Sequence, residues 1–166
     1  YEMIWWLEFR RVLFRSDLNT FLSNFCKVQG AYLRNDFNIE LVFEHQQTCE
    51  LLWDQVKMER VFLNLVSNAR SAVQANRKII IRSLVEKDEI QVDVQDFGKG
   101  MDLVTQRDVF KPFFTKGKVG GSGLGMAIVK NIVEGHKGQI EIKSEEGVGT
   151  TFSIKLPRTK WRSREF

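Results

Sequence analysis

Apolar residues recur at helical spacing over Leu18, Phe21, Leu22, Phe25, Val28 and Tyr32, with Asp17 placed to cap the first turn. Alternating positions in Phe37 to Phe43 predict a strand, and a shorter one is expected near Cys49 to Trp53. The spacing returns to that of a helix at Met58, Val61, Phe62, Leu65, Val66, Ala69, Ala72 and Val73. Strands are predicted at Lys78 to Val85 and Glu89 to Gln95, separated by a hairpin turn at Glu86 to Asp88. A glycine-bearing segment without clear period follows, then a helix from Gly123 to Glu134. Two more alternating strands carry Ile140 and Ile142, and Phe152, Ile154 and Leu156. These elements predict an α+β fold: a two-layer α/β sandwich whose single mixed, mainly antiparallel sheet is covered on one face by three helices.

The 166 residues are 43% hydrophobic, enough for one domain with its own core. No apolar run approaches the ~18 residues that suggest a membrane span. The net charge of +4 is mild and partly concentrated in the tail from Arg158 to Phe166, read as a solvated end. Neither membrane nor nucleic-acid contact is expected of this chain. Cys26 and Cys49 have neither metal nor redox spacing, so each reads as a small buried apolar residue in a reducing, cytoplasmic compartment.

Three clusters carry candidate chemistry. Gly121, Gly123 and Gly125 precede an apolar-periodic helix, an arrangement that brings backbone N–H groups and a helix dipole to an anion and that also serves ordinary loop-to-helix turns. Asn64 and Asn68 sit one turn apart at the edge of an apolar stripe. There they are either solvated amides or oxygen ligands for a hard cation beside anionic phosphates. Asp96 ends a strand and is followed by Gly98 and Gly100. This is either a plain turn or a pocket wall in which a carboxylate meets an exocyclic amine while the glycines let a ring approach the backbone.

In order, these residues resemble the catalytic and ATP-binding domain of bacterial sensor histidine kinases, within the larger Bergerat-type family shared with gyrase, MutL and a heat-shock chaperone. Asn64 to Ala69 resembles the N box, Asp96 to Gly100 the first glycine box, Phe110 to Lys116 the F box and Gly121 to Gly125 the second glycine box. The likeness spans Asp17 to Pro157. The triplet Asp96-Phe97-Gly98 also matches a magnesium-binding motif of eukaryotic protein kinases, but none of that family's other motifs accompanies it.

The resemblance implies ATP and Mg²⁺ as ligands. Asn68 would be the metal ligand with Asn64 in support, and Asp96 would read adenine with help from Thr150. Gly98 and Gly100 would line the base site. Gly121, Gly123, Leu124 and Gly125 would hold phosphates, Lys116 would neutralise charge, and Phe110, Phe113 and Phe114 would anchor a lid. The implied reaction carries the γ-phosphoryl group to a histidine on a helical dimerisation domain of the same kinase, with a response regulator downstream. Asn64, Asn68 and Lys116 are the candidate catalytic residues. Neither His45 nor His136 has the sequence context of the acceptor. Many relatives carry lysine where this chain has Ser71, and Arg70 points elsewhere, so the basic group nearest the transfer stays open. So does membrane anchoring of the parent kinase. Two other classes remain: a non-catalytic nucleotide- or partner-binding module, and a clamp-type ATPase. The F box favours the kinase branch.

Phe9 to Ser16 reads codon by codon as the translation of a short-read sequencing adapter. Residues 1–16 are therefore expected to be foreign to the domain at 17–157, with residues 158–166 as its tail. The other reading of 1–16 is a genuine upstream helix.

Overall fold

Asp17 caps the first helix as its position predicts, its carboxylate accepting the Thr20 N–H at 2.6 Å. In the computed structural model, which describes residues 14–115 and 122–158, that helix is α1, Leu18–Phe37. It runs through the start of the expected strand. Phe37 sits edge-on to Tyr32 with centroids 5.4 Å apart and lies under the Arg70 guanidinium at 4.3 Å, so its ring is spent on helix packing. Asn38 then ends α1 in the left-handed region, φ 52°, its N–H donating to the Arg34 and Leu33 carbonyls. The strand β2 accordingly covers only Glu40–His45.

The short strand near Trp53 exists, as β3, Glu50–Trp53, but it does not join the main sheet. It pairs antiparallel with β1, Phe14–Asp17, so the expectation that one sheet holds every strand is corrected. The cause lies in the side chains. Leu51 and Trp53 turn inward, and the Trp53 ring stands edge-on to Phe21 at 5.0 Å, closing the end of the core beneath α1. Three of the residues read as foreign, Phe14 to Ser16, take part in this ladder, and Ser16 Oγ accepts from the Trp53 indole. Ladder pairing uses backbone groups, which foreign residues supply equally well.

Asp54 caps α2, Gln55–Ala72, by accepting the Lys57 N–H at 3.0 Å. Met58, Val61, Phe62, Leu65, Val66 and Ala69 form its buried face, as the spacing predicts. The remaining strands are β4, Lys78–Val85, β5, Glu89–Asp96, β6, Gln139–Glu145, and β7, Gly149–Pro157. The five-stranded sheet runs β2-β4-β5-β7-β6, with only the β2–β4 pair parallel. Register puts Ile81 beside Val94, Val94 beside Phe152, and Phe152 beside Ile142, giving an apolar row beneath the helices. One residue along, Glu44, Arg82, Asp93, Ser153 and Glu141 form a polar row on the opposite face.

A short helix, α3, Leu103–Asp108, occupies part of the aperiodic segment, too short at six residues to show a period. The last helix, α4, is Gly125–Gly135. It starts two residues later than expected because Gly123 takes φ +68°, outside helical space. No described helix is long and apolar enough to cross a membrane.

His136 ties α4 to α2. Its Nδ1 lies 2.7 Å from the Ile132 carbonyl, and Nε2 accepts the Asp54 N–H at 3.0 Å. With Nε2 accepting, Nδ1 is the nitrogen that donates to Ile132. His136→Ala is expected to leave the Asp54 N–H without its acceptor and to lower unfolding free energy by about 1–3 kcal/mol, read from urea denaturation followed by circular dichroism.

Candidate functional site

Beyond the carboxyl end of β5, the sheet and helices separate to leave a cavity of about 850 Å³. One wall is the edge of α2, where Asn64, Ser67, Asn68 and Ser71 follow one another at helical spacing. The floor is made by Asp96 and Thr150, neighbours across the β5–β7 ladder. Gly123, Gly125 and Met126 bring the start of α4 to a second wall, and Met101, Asp102 and Thr105 bring α3 to a third.

Asp96 is 3% exposed. Its carboxylate accepts the Gly98 N–H at 2.9 Å and the backbone N–H of Thr150. Burial raises its pKa above the ordinary carboxylate value, and the two backbone donors offset only part of that rise. The site thus holds a buried acidic group that favours a ligand able to donate to it.

Both glycines after Asp96 answer to chain packing. A Cβ at Gly98 would lie 2.1 Å from the Ala72 carbonyl oxygen at the end of α2. One at Gly100, whose φ is +65°, would lie 1.9 Å from that of Glu145. Their bare Cα atoms let the turn wedge between α2 and the end of β6, which aims Asp96 inward. Gly100 lines the cavity; Gly98 is not among the lining residues.

Asn64 donates Nδ2 to the Arg60 carbonyl at 2.9 Å, which leaves Oδ1 as the acceptor end. That oxygen faces α4, where a Cβ on Gly125 would approach it to 2.9 Å. Leu124, at the N-cap position of α4, makes no side-chain cap bond. The first N–H groups of this 11-residue helix therefore meet the cavity wall beside an amide oxygen. Among the described residues no group of three or more His, Cys, Asp or Glu could hold a metal ion. A cation here would rely on amide oxygens and water together with the oxygens of a bound phosphate, all oxygen ligands of the kind Mg²⁺ takes.

Of the residues singled out from sequence, Asn64, Asn68, Asp96, Gly100, Gly123, Gly125 and Thr150 converge on this cavity. Leu124 and Gly98 stand behind its wall. Lys116 and Gly121 lie outside the described residues. Phe110 packs edge-on to Phe152 at 6.2 Å, as an anchor should, and Phe114 lines the cavity. Phe113 departs from the anchor expectation. It takes φ +65° and is 75% exposed, because its backbone is pressed against Gly123 and the ring is turned to solvent. Arg70 reaches the rim yet lies over Phe37. Sequence reasoning passed over Ser67, Lys99, Met101, Thr105, Met126 and Glu146, and noted Ser71 only as standing where relatives carry lysine. Ser67 and Ser71 were within reach, since they share the helical edge of the two asparagines.

A family profile described as "Histidine kinase-, DNA gyrase B-, and HSP90-like ATPase" matches residues 53–160. The chain is 36% identical over 129 residues to the signal transduction histidine-protein kinase AtoS of Escherichia coli (strain K12), covering 77% of this chain and 21% of that protein. It is 35% identical over 142 residues to the sensor histidine kinase ZraS of the same strain, covering 85% and 30%. It thus spans less than a third of these relatives. The catalytic domain of histidine kinase ThkA superposes with a TM-score of 0.76 at 29% identity, over 88% of this chain and 95% of that one. Full-length ShkA in complex with AMPPNP superposes at 0.80 over 92% of this chain and 33% of that one; at 20% identity it speaks to the fold alone.

Gly100→Ala is expected to cost at least about 2 kcal/mol, from left-handed strain added to the clash with Glu145. Denaturant unfolding of the variant checks this, and Gly147→Ala serves as the comparison, because its φ of +77° carries similar strain with nothing within 4 Å of the added carbon.

Proposed function

Because the chain belongs to the family of histidine kinase-, DNA gyrase B- and HSP90-like ATPases, with histidine kinases among its relatives, we propose that it binds ATP in this cavity and passes the γ-phosphoryl group to a histidine of a partner helical domain of the same kinase. A response regulator would act downstream. The observation that carries the reading is Asp96, a buried carboxylate that accepts two backbone N–H groups, on the floor of a cavity that the start of α4 also lines. Adenine would give an amine hydrogen to Asp96, with Thr150 beside it. The phosphates would extend toward Gly123 and Gly125 and the first N–H groups of α4.

Mg²⁺ would be held by amide oxygen and phosphate, and when bound it would supply positive charge for the transferring group. Asn64 and Asn68 are the residues for it. The exposed acceptor end of Asn64, facing α4, supports giving Asn64 the direct contact, a shift of emphasis from Asn68. Lys116 and Gly121 would complete the phosphate side. What this chain contributes is positioning and charge neutralisation, the main needs of phosphoryl transfer. Neither histidine serves as the acceptor: both ring nitrogens of His136 are engaged within the fold, and His45 stacks at a tilt against Phe43 at 5.2 Å, at the far end of β2 from the site. The unit that performs this function is 17–157, with 1–16 foreign to it and 158–166 a tail.

Calorimetry with a non-hydrolysable ATP analogue tests the reading. Binding is expected for the wild type, to weaken at least about tenfold in Asp96→Asn through the loss of a charge-assisted hydrogen bond, and to lose Mg²⁺ dependence in Asn64→Ala, with a smaller effect in Asn68→Ala. A folded wild type that binds no nucleotide would assign the chain to a non-catalytic, partner-binding module.

A pH dependence follows as well. Asp96 has a raised pKa in the free domain, and an amine donor binds its ionised form, so nucleotide lowers that pKa. Binding is expected to release protons and to weaken as pH falls through the Asp96 titration, which lies above the ordinary carboxylate range. Calorimetry in buffers of different ionisation enthalpy reads the release, which Asp96→Asn should abolish.

A further inference from the structure

Ser144, behind the cavity wall on β6, stands at the centre of a hydrogen-bond network that ends on Thr150. The Met101 N–H donates to Ser144 Oγ at 2.9 Å. Ser144 Oγ lies 3.0 Å from the Gly149 carbonyl oxygen and 2.8 Å from Thr150 Oγ1. The arrangement is held in place by Gln106 of α3, whose Nε2 donates to the carbonyls of Met101 at 2.8 Å and of Ser144 itself at 3.0 Å.

The protons in this network have one consistent arrangement. A carbonyl only accepts, so the single Ser144 proton goes to Gly149. Thr150 must then give its own proton to Ser144, whose two lone pairs take Thr150 and Met101. The Thr150 hydroxyl is left with only lone pairs to present, and Thr150 lines the cavity at 3% exposure beside the Asp96 carboxylate.

We infer that Ser144 is a positioning residue that locks Thr150 as a hydrogen-bond acceptor, so that Thr150 and Asp96 together present acceptors to the base and select 6-aminopurines over 6-oxopurines. This rests on the reading of the cavity as an adenine site. A 6-amino group offers two hydrogens to such a wall. A 6-oxo group would bring lone pairs against the lone pairs of Thr150 and the charge of Asp96, and a site built around specific hydrogen bonds discriminates strongly against a ligand that mismatches them. Without the Ser144 hydroxyl, Thr150 is free to turn its proton into the cavity and meet an oxo group.

The test compares ATP with ITP, which differ in the base only at position 6 and in the protonation of N1, by calorimetric affinity in wild type, Ser144→Ala, Ser144→Thr and Thr150→Val. The wild type is expected to prefer ATP. Ser144→Ala should weaken ATP and strengthen ITP, shrinking the preference by about tenfold, the size of one hydrogen bond redirected. Ser144→Thr, which restores the hydroxyl, should recover the preference. Thr150→Val should weaken ATP and, supplying no donor, help ITP less than Ser144→Ala does. Should Ser144→Ala fail to melt cooperatively, Ser144→Cys, which keeps the volume and weakens both bonds, carries the same comparison. An unchanged ATP-to-ITP ratio in a folded Ser144 variant overturns the inference, as does a wild type indifferent to the two. A folded wild type that binds neither overturns the adenine-site reading itself.

Discussion

The site depends on where one carboxylate is buried. Asp96 is the last residue of the central strand β5, on the side that faces the helices, and accepts backbone N–H groups from its own turn and from the neighbouring strand. Burial there works against the charge, so the position is tolerable only because both donors are built into the backbone. The chain around it is shaped to keep those donors in place. Gly98 lets the turn press against the end of α2, and Gly100 lets it pass the end of β6. Gly149, at φ +141°, lets β7 begin against the Asp96 carbonyl oxygen, where a Cβ would come within 2.2 Å. The loop is thus packed like a core on one side and left open on the other.

That asymmetry divides the cavity into two kinds of wall. The strand end consists of buried residues whose hydrogen bonds are fixed by register, Asp96 opposite Thr150 and Thr150 opposite Ser144. The far end consists of a helix edge and a helix start, where amide groups and backbone donors face one another across Gly125. The strand end suits selection, because a mismatched hydrogen bond in a dry site is costly. The far end suits charge, because a dipole and several N–H groups tolerate variation in the anion's position.

Much of this was legible in the sequence, and the reasons differ by element. The α2 period survived because six buried positions repeat over 18 residues, and β4 and β5 because their alternation is bounded by a clear turn. Phe37 misled because a bulky apolar residue at a helix end and one at a strand start look alike; only its contacts with Tyr32 and Arg70 decide. The separate β1–β3 ladder was hidden for a similar reason, since four-residue strands record that they are extended but not which partner they choose. Asn64, Asp96 and the glycines were found as motif members. Ser144 was not, because its part is defined by three partners at sequence distances of 43, 5 and 6, a pattern visible only in space.

The rigidity of the α2–α4 pair explains how two such different walls stay in register. At the end away from the cavity, His136 bridges the helices through Asp54 and Ile132, using both ring nitrogens. At the cavity end they touch through Asn64 and Gly125, where even a methyl group would displace the amide. Two contacts at opposite ends fix both the separation and the rotation of α4 relative to α2, which neither contact alone could do. The helix start is therefore aimed by packing along its whole length, and the chain needs no charged side chain at the α4 N-cap to direct an anion there. An amide oxygen and the first N–H groups of a helix on adjoining walls are complementary to each other only through a third group, one that accepts from the N–H groups and can share a cation with the oxygen, and an oxyanion meets both demands.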